Sequence, residues 1–135
     1  MMKVLVDTHI ALWALMDDPK MPKEAGKILM DENNEIYYST ASVWEVAIKH
    51  CIRPNDMIMD GKLFEKGCED NGYKVLPVFN RHTFVLGSLK RSDDAPKHSD
   101  PFDRLLICQA KTEGMKFLTH DALIPYYNES CVISV

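Results

Sequence analysis

The sequence predicts an α/β fold: one domain over residues 1–135, with a central, mostly parallel sheet and helices on both faces. Three observations predict it. Short β-branched or aromatic runs alternate with segments of helical period along the chain. No linker or internal repeat interrupts that alternation. At 135 residues and 46% apolar composition, the chain can bury one proper core.

Lys3 to Val6 is a short β-branched run that ends at Asp7. An apolar helical pattern comes next, through Ala11, Leu12, Leu15 and Met16, and stops near Pro19. Met21 to Asp31 repeats the helical period through Ala25, Ile28 and Leu29, before Asn33-Asn34 breaks it. Ile36-Tyr37-Tyr38 is a second strand, and Ser39 or Thr40 caps a helix running to about Cys51. Arg53 to Met59 reads as a loop. A helix from Gly61 to Asp70 stops at Asn71-Gly72, and Lys74 to Val78 makes a third strand. A short helix over Arg81–Leu89 leads into KRSDDAPKHSDP, the most polar stretch and an expected surface loop. Pro101 to Glu113 is helical, closed by Gly114. Lys116 to Leu118 is strand four, Asp121 to Tyr126 a short helix, and Cys131 to Val135 a closing strand.

Composition narrows the classes. The longest apolar run, Ile10 to Met16, is far short of a membrane span, and Asp7 and His9 spoil any secretory reading of the first residues. A soluble, cytoplasmic protein is expected. Cys51, Cys68, Cys108 and Cys131 are widely spaced, with no C-x-x-C pair, and Cys108 and Cys131 fall in segments that read as core. Free thiols in a reducing compartment are the expected state. A net charge of −4 provides no large basic surface, which counts against a dedicated nucleic-acid-binding module. It counts less against a nuclease, whose acids gather at a metal.

In parallel α/β sheets, ligands bind outside the carboxyl ends of the strands. Four acids fall near that edge. Asp7 ends strand one, and Glu45 lies about a turn into the helix after strand two. Asp103 is in the first turn of the helix that begins at Pro101, and Asp121 comes just after strand four. Each has an ordinary explanation. Ser42 to Glu45 matches a capping box, and Lys49 is placed to pair with Glu45. Asp100 before Pro101 is a natural N-cap, which leaves Asp103 as a favourable acid at a helix start. Such placements contribute about 0.3–1 kcal/mol apiece.

Helical geometry favours more than capping. At roughly 100° per residue, Asp103 falls at the margin of the apolar arc formed by Phe102, Leu105, Leu106 and Ala110. Around Glu45, the residues Ala41, Trp44, Ala47, Ile48, Cys51 and Ile52 read as one broad buried side. Ser42, Glu45 and Lys49 then form a narrow polar stripe, so the helix is expected to be buried nearly all round, with its acid in a cleft. Four carboxylates converging on one edge would repel one another unless a cation sat among them. Oxygen ligands without paired histidine or cysteine select magnesium or manganese, whose chemistry suits phosphoryl substrates.

VDTHIALW, STASVWEVAIK, DPFDRLLICQA and FLTHD, in that order across nearly the whole chain, resemble blocks of the PIN domain family, and within it the VapC-like ribonucleases of toxin–antitoxin pairs. The resemblance implies a compact parallel α/β domain. It implies an endoribonuclease dependent on Mg2+ or Mn2+ that leaves a 5′-phosphate and a 3′-hydroxyl. The family's acidic positions fall on Asp7, Glu45, Asp103 and Asp121, as metal ligands and catalytic residues. Thr8 and Thr119 stand beside them as supporting groups, as does Asp100. A homodimer and a cognate antitoxin that enters the active-site groove are implied partners. His9 replaces the asparagine found in many relatives, and CIRPNDMIMDGKL departs from the shorter turn expected after the Glu45 helix. His9 reads as a structural hydrogen-bonder rather than a base.

Two other classes compete. A signalling receiver also places acids around magnesium, but Asp7-Thr8 is not the acidic pair it needs, Val78-Phe79-Asn80 lacks its aspartate, and Thr119-His120 replaces its lysine. A non-catalytic PIN-like scaffold binding RNA or protein is the other alternative. Loss of an acid would favour it, and all four are present. Lys49 and Arg104 are near enough to the acids to meet phosphates, but solvated charge is the favoured reading of each; the KRSDDAPKHS loop is placed either to contact RNA or to cover the cleft.

Overall fold

β1 (Lys3–Val6), β2 (Glu35–Ser39), β3 (Lys74–Leu76), β4 (Lys116–Thr119) and β5 (Val132–Ser134) form one sheet in the order β3-β2-β1-β4-β5, with every pair parallel. The structure is a computed structural model describing residues 1–135. β1 lies at the centre, with Val4 opposite Ile36 on one side and Lys116 on the other. Six helices connect or cover the strands: α1 (Thr8–Leu15), α2 (Lys23–Met30), α3 (Thr40–Ile52), α4 (Gly61–Asp70), α5 (Asn80–Thr83) and α6 (Pro101–Glu113). Two 3₁₀ turns, Leu86–Ser88 and Ile124–Tyr127, complete the chain.

The side-chain period of two divides β1 between the two faces. Val4 and Val6 pack with Ile36, Tyr38 and Leu118 against Ile10, Leu12, Ala25, Phe64 and Cys68 from α1, α2 and α4. Leu5 and Phe117 face the other way, onto Leu106, Ile107 and Ala110 of α6 and onto Ile124 and Tyr127. Both faces are therefore covered, as the strand–helix alternation predicts. Counting outward, the chain builds β1, β2 and β3 in one direction and then returns to lay β4 and β5 on the opposite side of β1. The reversal opens a crevice between the carboxyl ends of β1 and β4. Asp7 comes directly after β1, and Thr119 ends β4.

α6 is built as its sequence dictates. Asp100 caps it by accepting from the Phe102 and Asp103 amides at 2.8 and 3.1 Å, Pro101 occupies the first helical position, and Gly114 ends it at φ 68°. A Cβ at Gly114 would meet nothing within 4 Å, so the cost of a side chain there is conformational alone. Gly114→Ala is expected to destabilise the protein by about 1 kcal/mol, read as a fall of a few degrees in Tm.

Some expected elements differ. β3 is shorter than the expected strand, because Pro77 has no amide to donate to the ladder. The single helix expected over Arg81–Leu89 is a four-residue helix and then a 3₁₀ turn. There Thr83 and Ser88 donate their hydroxyls to the carbonyls of Asn80 and Val85, drawing those carbonyls out of a continuous helical ladder. Downstream of β4, Asp121 accepts from the Leu123 amide at 2.7 Å in a local turn, and Pro125 limits the next residues to a 3₁₀ turn. Cys108 is buried as expected, whereas Cys131 is only half-buried.

The larger correction concerns α3. Trp44 and Ile52, placed on its buried side by the helical wheel, are 63% and 70% exposed, and Cys51 is exposed as well. The buried residues are Ala41, Ser42, Glu45 and Val46. Ser39 is the cap, accepting from the Ala41 amide at 2.9 Å, so Ser42 sits inside the helix and the capping-box explanation of Glu45 falls away. A wheel ranks faces by apolar content. It cannot register that Thr8, on another helix, supplies the hydrogen bond that makes burying the polar stripe tolerable.

Candidate active site

Each of the four acids is held by identifiable partners. Asp7 is 4% exposed; its amide donates to the Leu118 carbonyl at 2.9 Å, which ties the end of β1 to β4. Thr119, fully buried, donates its hydroxyl to Asp7 Oδ2 at 2.6 Å. The same hydroxyl accepts from the Asp121 amide at 3.0 Å, so one threonine positions two of the acids. Burial pushes the Asp7 carboxyl above its usual range, with the Thr119 bond and His9 opposing and the charges of Glu45 and Asp121 adding to the rise. Replacing Thr119 with valine leaves both groups without that partner. Thr119→Val is expected to cost about 1–2 kcal/mol in stability, measurable by urea denaturation.

Glu45 reaches the same region from α3 and is 6% exposed. The Thr8 hydroxyl lies 2.8 Å from both Glu45 Oε1 and Ser42 Oγ. A carboxylate only accepts, so the Thr8 proton goes to Glu45 and the Ser42 hydroxyl donates to Thr8. Lys49 Nζ meets the other oxygen, Oε2, at 2.8 Å. That lysine is 44% exposed, so the pair is partly screened and contributes little stability. The expected Glu45–Lys49 pairing is thus present, on the outer oxygen only.

Asp103 lies in the first turn of α6 with 14% of its side chain exposed. Its carboxyl is pushed up to about 7, chiefly by burial and further by the charges of Asp7, Asp100 and Asp121, against the lowering hydrogen bond from His98. The acids are therefore electrostatic neighbours: Asp7 feels Glu45 and Asp121, and Asp103 feels Asp7 and Asp121. Asp100 adds charge from the rim, but its own carboxylate is engaged in capping α6.

His98, Tyr127 and Ser42 carry contacts that sequence reasoning does not assign. His98 belongs to the polar loop before α6, yet its side chain is only 4% exposed, with Nε2 at 2.9 Å from Asp103 Oδ2. A histidine two residues before an N-cap aspartate is the one signal the sequence offers, and it carries no direction. His9, by contrast, is exposed and lines a cleft of about 180 Å³ with Asp7, Trp13, His120 and Asp121. It also lines a cleft of about 440 Å³ beside Lys49, Ile52, Arg53, Asp56 and Met57. His9 is thus shared by the two depressions, one of them floored by acids.

The PIN domain family model matches residues 4–128. The chain belongs to the PIN domain family. No curated protein matches it. Its fold is similar to a chain of VapBC2 from Rickettsia felis bound to a DNA fragment from their promoter, with a TM-score of 0.65 and 16% identity over 99% of this chain and 98% of that one. It is similar also to a chain of FitAB bound to an IR36 DNA fragment, at TM-score 0.63 and 18% identity, covering 97% and 94% of the two chains. FitAcB from Neisseria gonorrhoeae gives a TM-score of 0.62 and 15% identity over 97% and 96%. At such identities the likeness is one of fold. PIN domains are nucleases that generally use divalent metals, and no helix of this PIN domain is long and apolar enough to cross a membrane.

The donor set can be tested against such an ion. Every acid offers hard oxygen, which suits magnesium or manganese. Burial, with smaller contributions from neighbouring carboxylates, raises the Asp7 and Asp103 carboxyls, and a cation beside them would favour their ionised forms. No three His, Cys, Asp or Glu side chains are gathered closely enough to enclose an ion, however, and one oxygen each of Glu45 and Asp103 faces Lys49 and His98. In chemistry and charge the residues fit the ion, while their ring is not closed.

Proposed function

We propose that this PIN domain is a metal-dependent endoribonuclease that hydrolyses RNA phosphodiester bonds and acts as the toxin of a toxin–antitoxin pair. The observation that carries the reading is that Asp7, Glu45, Asp103 and Asp121 are electrostatic neighbours: burial raises the Asp7 and Asp103 carboxyls, the charges of Glu45 and Asp121 add to the rise at Asp7, and those of Asp7 and Asp121 add to it at Asp103. These four residues would hold Mg2+ or Mn2+. Bound there, the ion would supply Lewis acidity at a phosphate oxygen and a water of lowered pKa. Thr119 fixes Asp7 and the turn of Asp121, while Thr8 and Ser42 fix Glu45, so the acids stand oriented before substrate arrives.

A cognate antitoxin is part of this reading. VapBC2 and FitAB are described bound to DNA, and a chain of net charge −4 has no large basic surface for a DNA duplex, which leaves DNA contact to a partner. A homodimer in the cytoplasm completes it, a compartment that suits four unpaired cysteines. Incubation of mixed RNA with the protein and Mn2+ is expected to yield fragments with 5′-phosphate ends, and chelation to stop it.

One observation favours the second reading, a non-catalytic scaffold: the acids do not enclose an ion as they stand. Intact RNA across a full Mn2+ and Mg2+ titration, with RNA still bound, would establish the scaffold and remove the nuclease.

A further inference from the structure

Asp103 is linked to a group outside the four acids. Its Oδ2 meets His98 Nε2 at 2.9 Å, and His98 Nδ1 meets the Tyr127 hydroxyl at 2.7 Å. The two rings also pack edge to face, with centroids 5.4 Å apart. His98 stands between exposed Lys97 and exposed Ser99, yet its own side chain is 4% exposed. Tyr127 is 6% exposed, in the 3₁₀ turn after β4, and the Arg91 guanidinium lies 5.4 Å from its ring centroid. A loop histidine is thus driven inward and clamped by a residue far along the chain.

The donors can be ordered from chemistry alone. A carboxylate oxygen accepts only, so Nε2 carries the proton and donates to Asp103 Oδ2. With a single proton on the ring, Nδ1 is then the acceptor and the phenol of Tyr127 donates to it. The relay fixes one tautomer and one ring orientation. It also fixes the carboxylate. With Oδ2 held, Oδ1 makes no hydrogen bond inside the protein and is not sealed from solvent.

We propose that His98, oriented by Tyr127, is a positioning residue that turns Asp103 so that its free oxygen faces the cation of the candidate site. The inference rests on the nuclease reading and adds a residue pair to it. Outer partners of a ligating group typically change metal affinity by about 10- to 100-fold when removed. A histidine that only stapled the loop to the 3₁₀ turn would have no such effect.

Isothermal titration of Mn2+ into the full chain tests it, with melting temperature measured alongside. His98→Ala is expected to weaken Mn2+ binding by about 10-fold or more, and raising Mn2+ to restore most of its RNA cleavage. Tyr127→Phe, which keeps the ring and loses only the hydroxyl, is expected to weaken binding by a smaller factor without unfolding the turn. His98→Gln can donate to Asp103 and accept from Tyr127, and is expected to recover part of the loss. Wild-type Mn2+ affinity in both His98→Ala and Tyr127→Phe, beside lost affinity in Asp103→Asn, would overturn the positioning role while leaving the metal site standing. Unchanged affinity in Asp103→Asn would overturn the site and the positioning role together.

Discussion

Asp7→Asn is expected to lower RNA cleavage by about 100- to 10,000-fold while the protein melts at or above the wild-type temperature. The size comes from the role proposed for the carboxylate. A ligated dication stabilises a phosphoryl transition state by several kcal/mol, and each 1.36 kcal/mol is about tenfold in rate. The preserved fold comes from the contacts. Asparagine keeps an oxygen for the Thr119 hydroxyl and keeps the backbone bond to Leu118. It removes one charge from a residue 4% exposed that stands against Glu45 and Asp121. Gel analysis of RNA with Mn2+, beside a circular-dichroism melt, separates the two effects. Cleavage at the wild-type rate would detach the acid edge from the chemistry; lost activity with a collapsed melt would make Asp7 structural.

What could be read from the chain alone divides along a physical line. Local rules placed α6 whole, because Asp100, Pro101 and Gly114 are cap signals that act within a few residues. They placed Asp7 at a strand end, because the β-branched run stops there, and parallel topology then brought it to β4. The failures lie where distant partners decide. Trp44 and Ile52 count as core on a wheel, yet α3 turns Glu45 inward because Thr8 and Ser42 offset its desolvation. His98 is indistinguishable in sequence from its solvated loop neighbours, since Tyr127, 29 residues away, is what draws it in. The segment after β3 breaks because Thr83 and Ser88 divert carbonyls, a competition that propensity does not resolve.

Asp103→Asn should raise stability and abolish cleavage together, and the pH dependence gives the test its sign. The Asp103 carboxyl moves from 3.8 to about 7 on folding, chiefly through burial. A raised acid stabilises the folded state fully below its unfolded pKa, and that contribution is lost as pH rises through the folded one. The metal-free wild type should therefore lose stability between about pH 4 and 7. The full shift corresponds to about 4 kcal/mol at 1.36 per unit; the charge is shared with Asp7, Asp100 and Asp121 and the side chain keeps 14% exposure, so about 2 kcal/mol is expected. Asparagine does not titrate. At pH 8 the metal-free variant should melt about 7 °C higher than wild type, and near pH 4 the two should converge. Mn2+ should then stabilise the wild type and leave the variant unmoved, because only a folded state that binds the ion gains from it. A lower melting temperature for the variant at pH 8 without metal would mean that the Asp103 charge is satisfied inside the protein, and that no cation is needed there.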